Sequence, residues 1–513
     1  MRRAVQPLLR ALALAGPAVL ALACGDPAYT VVTVEARPAV TGVRTLEIAL
    51  ANASSTQTES FVVDGRTFPV TFSVSTGDRT GDLAITVDAI DGTGTRIARG
   101  DATAPITTGG DATVLLEPTD FLVNTTFVGD QALAFRPEAG GRQIAVSPAG
   151  VATIGWSDSC QIVGRCDVFG RRFDPTGHPL TTTLAAGPGE FIINRTDGTG
   201  FEPTLATNAA GHTLAVWSTG DELLAVALDD EGAALTAIET VLATGTLPST
   251  PAVIAVPDGR FIVAWTERAA TGGQFVVRAR YVGPDGRPAL NPVTVSEAAF
   301  TVSTTVLTES NPPALAWLGD GLSMAVAWRT GSSIRGRVYT STGTPRVTTD
   351  SLFATRPASD TVGEPQLASI AGDIALLYPR ATTSGDADAG QLVLRRLSPA
   401  GLVVGTDAVV TDTVEPGPAA LASTAAESGT LAIAWTTCGA DADGDSCAVR
   451  LRRYDASLAP LGPSRIANSI TAGAQAEPSL AILPDGSILA AWTDGSSTAP
   501  DRDGTAIRAR IIY

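Results

Sequence analysis

Lysine is absent from this chain of 513 residues, so all 35 basic side chains are arginine, and 52 acidic residues outnumber them for a formal charge of −17. An acidic balance of that size excludes nucleic acid as a partner, because such binding depends on clustered cations that release counterions. Histidine is nearly missing. His178 and His212 each follow a turn glycine in different parts of the chain, and neither has a metal or triad partner near it in sequence. Past Ala23 no apolar run is long enough for a membrane-spanning helix. Helical periodicity is lacking as well, and what remains is alternation broken by glycine and proline turns, the pattern of an all-β protein.

The first residues read as an export signal, with Arg2 and Arg3 ahead of an apolar run from Ala11 to Ala23. The following Leu22-Ala23-Cys24-Gly25 resembles a bacterial lipobox, with Ala21 where leucine is usual. That resemblance implies a signal peptide over 1–23, acylation of Cys24 and a lipid-anchored tether over 24–28. The other reading is an ordinary secretory signal that leaves Cys24 as a spare thiol. Both place the protein outside the cytoplasm, and the anchored form belongs in the cell envelope, on the outer membrane, facing the periplasm or the cell surface. Loss of Arg2, Arg3 and Arg10 takes the formal charge from −17 to −20.

The other four cysteines fall as two close pairs, Cys160 with Cys166 and Cys438 with Cys447, each just after a recurring tryptophan. Two local disulfides at hairpin tips are expected. A four-thiolate zinc site would need loops from two different repeats to meet, and an oxidising compartment disfavours it.

Residues 29–118 hold alternating segments at 29–36, 45–51, 69–75, 83–89 and 112–116, separated by turn signals such as Asp64-Gly65 and Asp91-Gly92. An immunoglobulin-like β-sandwich is the expectation for about 90 residues of that pattern. From 119 to 513 the order is repetitive. Trp156, Trp217, Trp265, Trp328, Tyr378, Trp435 and Trp492 each stand six or seven residues after a glycine, and the 336 positions from first to last divide into six steps with a mean of 56. A period of that order indicates a propeller of four-stranded sheets, here with seven blades. Most repeats open on a proline (Pro203, Pro251, Pro313, Pro365, Pro418, Pro478), where the first has Arg142.

The chain reaches Tyr513 at the end of a third strand, so the last blade needs a strand from elsewhere. Phe121-Leu122-Val123-Asn124-Thr125-Thr126 matches the tail of a repeat and is expected to close the ring. Closure of that kind removes exposed sheet edges. The second repeat departs most from the others, with Ala227-Leu228 in place of an arginine-aromatic pair, which predicts a looser seam there.

Three stretches carry a likeness to a known family: Val123 to Gln131, the Pro-Asp-Gly to Ala-Trp runs at 257–265 and 484–492, and Arg171 to Leu180. In them the sequence resembles a repeat of large exported bacterial proteins that often lies beside adhesin and calcium-binding modules. The likeness covers 120–513. It implies the propeller and no shared reaction.

Few residues suggest chemistry. Trp317 lies on a first strand, nearest the axis, and suits stacking on a ring-shaped ligand such as a sugar, although packing accounts for it too. Glu202, Glu364 and Glu477 precede first-strand prolines and suit the rim of one channel mouth. Asp441, Asp443 and Asp445, Asp501 and Asp503, and Asp386 and Asp388 alternate with other residues near glycine in loops after the recurring aromatic, a pattern that suits Ca2+, although none completes an EF-hand loop and solvated loops explain them equally. Six arginines at one third-strand position (Arg172, Arg280, Arg337, Arg396, Arg453, Arg510) diverge between blades and read as structural bridges. With no catalytic triad and no sialidase repeat motif, the expectation is a non-enzymatic, monomeric binding or scaffolding protein for an extracytoplasmic protein or carbohydrate polymer. No motif requires a cofactor. The alternatives are a propeller glycoside hydrolase using the three glutamates and a purely structural envelope protein.

Overall fold

The computed structural model describes residues 29–513 apart from 53–54, 76–80, 107–109, 134–141, 159–165, 185–188, 196–199, 270–272, 292–296, 319–322, 342, 356–360, 382–389, 415–418, 424–428, 440–441 and 445. The signal segment, Cys24, Cys160, Asp386, Asp388, Asp441 and Asp445 therefore lie outside the described residues. Two compact units divide the chain, the first ending at Asp120 and the second beginning at Phe121.

The first unit has seven strands: β1 (Tyr29–Ala36), β2 (Thr45–Asn52), β3 (Ser55–Val62), β4 (Val70–Ser75), β5 (Asp82–Ile90), β6 (Arg96–Pro105) and β7 (Gly110–Pro118). Their order is β3-β2-β5-β6-β7-β1-β4, with β1 and β7 parallel. Alternate residues of β1, β2, β5 and β7, among them Val32, Val34, Ile48, Leu50, Ile85, Val87 and Val114, form one apolar core. Two of these strands gave no apolar signal. β3 is an edge strand of polar residues, half-buried at best, and β6 turns only small residues inward, Ala98, Gly100 and Ala104. A side chain at Gly100 would run into the Leu115 carbonyl, so glycine is what lets β6 lie against β7.

The second unit is a seven-bladed propeller, and no α-helix occurs among the described residues. The seven recurring aromatics each sit on the second strand of a blade and are 0–2% exposed. A buried ring of that size contributes roughly 2–3 kcal/mol of apolar burial. One of the six indoles finds a protein acceptor, Trp265 Nε1 donating to Glu267 Oε2 at 2.7 Å. The Nε1 groups of Trp156, Trp217, Trp328, Trp435 and Trp492 are buried without one among the described residues, so the burial of the rings, and not their hydrogen bonding, holds these positions. Strand β8 (Phe121–Leu122) is the fourth strand of the sheet formed by Gln475–Ile482, Ile488–Asp494 and Ala506–Ile512, with Leu122 opposite Arg508 and Phe121 opposite Ala509. Val123 N continues the pairing to Ile507 O at 2.8 Å. Further along, Gln131–Ala132 pairs with Ser157 and Asp158 of the first blade.

The third-strand arginines diverge and reach main-chain carbonyls of neighbouring repeats. Arg510 Nη1 donates to Ala467 O at 3.0 Å, Arg453 Nη2 to Ile512 O at 3.3 Å, Arg396 Nη1 to Ala456 O at 2.9 Å and Arg337 Nη1 to Val302 O at 2.9 Å. Arg172 and Arg280 explain why the second blade is not loosely seated as the sequence predicted. From either side they donate to Asp230 O and Leu242 O of that blade. Ala227 and Leu228 are fully buried, and the Gly286 turn of the third blade packs so closely that an added Cβ would lie 3.1 Å from Ala227 N. The small residue permits the close approach that its arginine-bearing counterparts achieve by bridging.

Candidate functional site

The first strands of all seven blades line one cavity of about 220 Å³ on the propeller axis. Its lining residues are mostly aliphatic by type, with Ile144, Leu205, Val253, Leu315, Leu367, Leu421 and Leu480 contributed in turn around the ring, yet the surface they expose to the cavity is more polar than apolar. Inward-facing side chains are small or branched because seven strands converge there. Two residues break the pattern, Arg142 from the first blade and Trp317 from the fourth.

Arg142 is held by its backbone and extended by its side chain. Its carbonyl accepts from Leu205 N at 3.0 Å in the second blade, and the next residue, Gln143, donates its main-chain N–H to Ser479 Oγ at 3.1 Å in the seventh. From that clamp the guanidinium reaches across the ring, where Nη2 donates to Leu315 O at 2.7 Å and to Leu367 O at 3.1 Å. Both hydrogens of Nη2 are thereby used. Nε and Nη1 have no acceptor among the described residues, and none of those residues places a carboxylate on the cavity wall. Desolvation lowers the guanidinium pKa to about 10, which leaves it charged at neutral pH. Arg142 is partly exposed to the cavity, and a guanidinium that faces a cavity with no carboxylate beside it is the kind of group concentrated where ligands bind. The sequence signal was the single substitution at the proline position, recognised as a departure and given no role.

Trp317 stands where its strand position indicated, half-buried on the cavity wall with its Nε1 atom buried and without an acceptor among the described residues. Sequence position also brings two of the three glutamates to the ends of first strands, but each has its own partner. Glu364 Oε1 accepts from Arg329 Nε at 2.5 Å, and Arg329 also meets Glu309 Oε2 at 3.0 Å and Asn311 Oδ1 at 2.9 Å. Glu477 Oε2 accepts from Thr493 Oγ1 at 2.8 Å. The side chain of Glu202 is outside what is described. Glu477 and its counterpart Thr250 have φ of +56° and +51° at bulges just before proline. Non-glycine residues are strained there, and strain of that kind tends to be retained at working surfaces.

The acidic loops serve the fold in the parts described. Asp443 Oδ2 accepts from Asn468 Nδ2 at 2.6 Å, Asp501 Oδ2 from Asn124 Nδ2 at 2.7 Å, and Asp503 Oδ2 from Gly129 N at 3.2 Å. Among the described residues no three histidine, cysteine or acidic side chains gather as a metal set. Cys438 and Cys447 are joined in a disulfide between directly paired positions of the sixth blade. The pairing of Cys160 lies outside the described residues.

No family model and no curated protein matches the sequence. Solved structures resemble it in fold. A protein of unknown function from Dyadobacter fermentans has a TM-score of 0.43 at 11% identity, over 77% of this chain and 99% of its own. An α-L-arabinofuranosidase from Fusarium graminearum has a TM-score of 0.40 at 9% identity, over 60% of this chain and 91% of its own. The NanB sialidase of Streptococcus pneumoniae has a TM-score of 0.40 at 8% identity, over 92% of this chain and 95% of its own. These likenesses concern the fold alone, yet they correct one expectation. Glycoside hydrolases are among the neighbours, so the missing triad and sialidase motif do not make this chain a non-enzyme.

Proposed function

We propose that the protein is an exported, lipid-anchored envelope protein whose propeller binds an extracytoplasmic polymer or protein through its axial cavity. The observation that carries this reading is the meeting of Arg142 and Trp317 in a cavity to which all seven blades contribute. Its size is below the roughly 300–1,000 Å³ of drug-sized pockets, which suits a terminal group or a single ring. The order of arginines, apolar run and lipobox-like cysteine at the start of the chain supports export and anchoring through Cys24. Parallel pairing of β1 with β7 supports an immunoglobulin-like spacer for the first unit, and the pairing of β8 with Ala506–Ile512 supports a ring closed by its N-terminal strand. Glycan arrays and pull-downs from envelope extracts, run with the parent chain and with Trp317→Ala checked for an unchanged melt, test the reading. Binding that is lost in the variant supports it, and equal binding by the two removes the cavity from the account.

A second reading is glycoside hydrolysis, favoured by one observation: Arg329 holds two carboxylates, Glu309 and Glu364, on one guanidinium. Paired carboxylates are the machinery of most glycosidases. Release of reducing ends from polysaccharides by the parent chain, absent with Glu364→Gln, would establish it.

A further inference from the structure

Among the described residues Arg142 is the only ionisable side chain lining the axial cavity, and that fact restricts what the cavity can take. The other lining residues carry aliphatic side chains apart from Trp317 and Ser369, so among the described residues no second charge faces the cavity. Two carbonyl oxygens hold the guanidinium in place, and their dipoles cancel none of its net charge. The electrostatic complement is therefore one negative charge. A dianion such as a phosphate monoester would leave a second charge unneutralised, and a neutral ligand would leave Arg142 without a counter-ion. Neither matches as well as a monoanion.

Shape narrows the class further. A cavity of about 220 Å³ holds a single ring and not a run of chain. Trp317 offers part of its indole at the wall, while its Nε1 is buried away from the cavity, so the ring contributes a packing surface and not a donor. Indole faces pack well against the C–H faces of rings whose polar groups project from the edge. Nothing long-range assists capture, since the formal charge of −17 opposes the approach of anions and any attraction by Arg142 is screened beyond about 8 Å at physiological salt. Selection must be local.

We propose that the axial cavity is a receptor for a ring that bears one carboxylate, an acidic sugar of the uronic type, with Arg142 pairing the carboxylate and Trp317 covering the ring. This rests on the binding reading above and names its ligand class. The two Nη2 bonds to blades four and five hold the guanidinium before the ligand arrives, so little ordering is left to be done on binding. Arg142 acts as a binding residue, and Leu315 and Leu367 position it through their carbonyls.

Calorimetric titration of the full chain with glucuronate, its methyl ester, glucose and glucose 6-phosphate tests the proposal, because the four share a ring while the acid is a monoanion, the ester and glucose are neutral and the phosphate is a dianion. Glucuronate is expected to bind at least tenfold more tightly than the ester, glucose or the phosphate. Arg142→Met should abolish that difference and Arg142→Lys should retain part of it, each variant being checked by its melt. The comparison of acid with ester needs no variant, so it stands even if Arg142→Met fails to fold. Equal affinity for acid, ester and glucose would overturn the carboxylate claim and leave the binding reading intact. Tighter binding of the phosphate would overturn it in favour of a dianion site. If no ring binds, the ligand class fails, and the binding reading is decided by its own array and pull-down test. Galacturonate against its trimer then identifies the source: tighter binding of the trimer indicates a polymer terminus, equal binding a free sugar, and either supports the class.

Discussion

Asn124 Nδ2 donates to Asp501 Oδ2 at 2.7 Å, although 377 positions separate the two residues in the chain. On its other side the Asn124 side-chain carbonyl accepts from Ile507 N at 2.8 Å, and the residue is fully buried. One amide thus secures both the ladder beside β8 and the loop above it. The same side chain recurs at the ends of other fourth strands, where Asn194 accepts from Val168 N at 2.8 Å and Asn468 from Val449 N at 3.0 Å.

Asn124→Ala should therefore leave a buried N–H and a buried carboxylate oxygen without their partner. We expect a loss of about 3 kcal/mol in urea unfolding, since each orphaned group costs about 1–3 kcal/mol. Asn194→Ala likewise removes the acceptor of the buried Val168 N–H and should also lower the unfolding free energy, by about 1–3 kcal/mol. An unfolding free energy for Asn124→Ala indistinguishable from the parent's would show that the strap is held by its backbone pairing alone.

Arg508 and Asp494 form the most deeply buried ion pair among those described, Nε to Oδ2 at 2.6 Å with side chains 5% and 1% exposed. Thr498 Oγ1 and Gln475 Nε2 complete their hydrogen bonding. Asp494→Ala strands a buried guanidinium, and the expected cost is about 3–5 kcal/mol. Replacing both, as Asp494→Leu with Arg508→Met, should recover most of that loss. Chemical denaturation of the single and double variants checks the coupling, and additive losses would argue against it.

The Cys438–Cys447 link spans nine positions and joins residues already paired in the ladder. Closing so short a loop contributes roughly 2–3 kcal/mol by the loop-entropy model. The double variant Cys438→Ser, Cys447→Ser should lose no more than that and should unfold in the same single transition as the parent. Loss of the transition altogether would mean that the link holds the ring and not merely its own hairpin.

The propeller was legible because its signal is periodic: a large aromatic that must be buried once per blade, tryptophan in six and Tyr378 in the other, leaves a mark in repeat after repeat that no single substitution hides. The strands β3 and β6 left no such mark, one because its position at the sheet edge asks for no apolar face, the other because its buried face is made of alanine and glycine. Arg142 was visible as a mismatch within the repeat, yet nothing in one dimension shows that its side chain crosses the ring to Leu315 and Leu367. The seam of the second blade was misread for a similar reason. Ala227 looked like a missing contact, whereas the contact is made by the Gly286 turn and by arginines of the flanking blades.

Asp350 gives the propeller an acid-dependent contribution that can be isolated. Burial opposes its ionisation, but hydrogen bonds from Thr304 and Thr305, including Thr304 N at 2.9 Å and Thr305 Oγ1 at 2.7 Å, outweigh that and hold the carboxyl below the usual aspartate range. The linkage joins the segment entering the fourth blade to the start of that blade's outer strand at Ser351. A folded-state value below the unfolded one, about 3.9, means that the contribution is fully present above that value and is lost as pH falls through the folded one. Asp350→Ala should thus be less stable than the parent at pH 7, with the gap closing as the pH is lowered from about 5 towards 2. Unfolding free energies of the two proteins, measured side by side across that range, give the difference curve from which other acids cancel. A gap that stays constant down to pH 2 would mean that the charged form of Asp350 contributes nothing, and that Thr304 and Thr305 are held by the backbone instead.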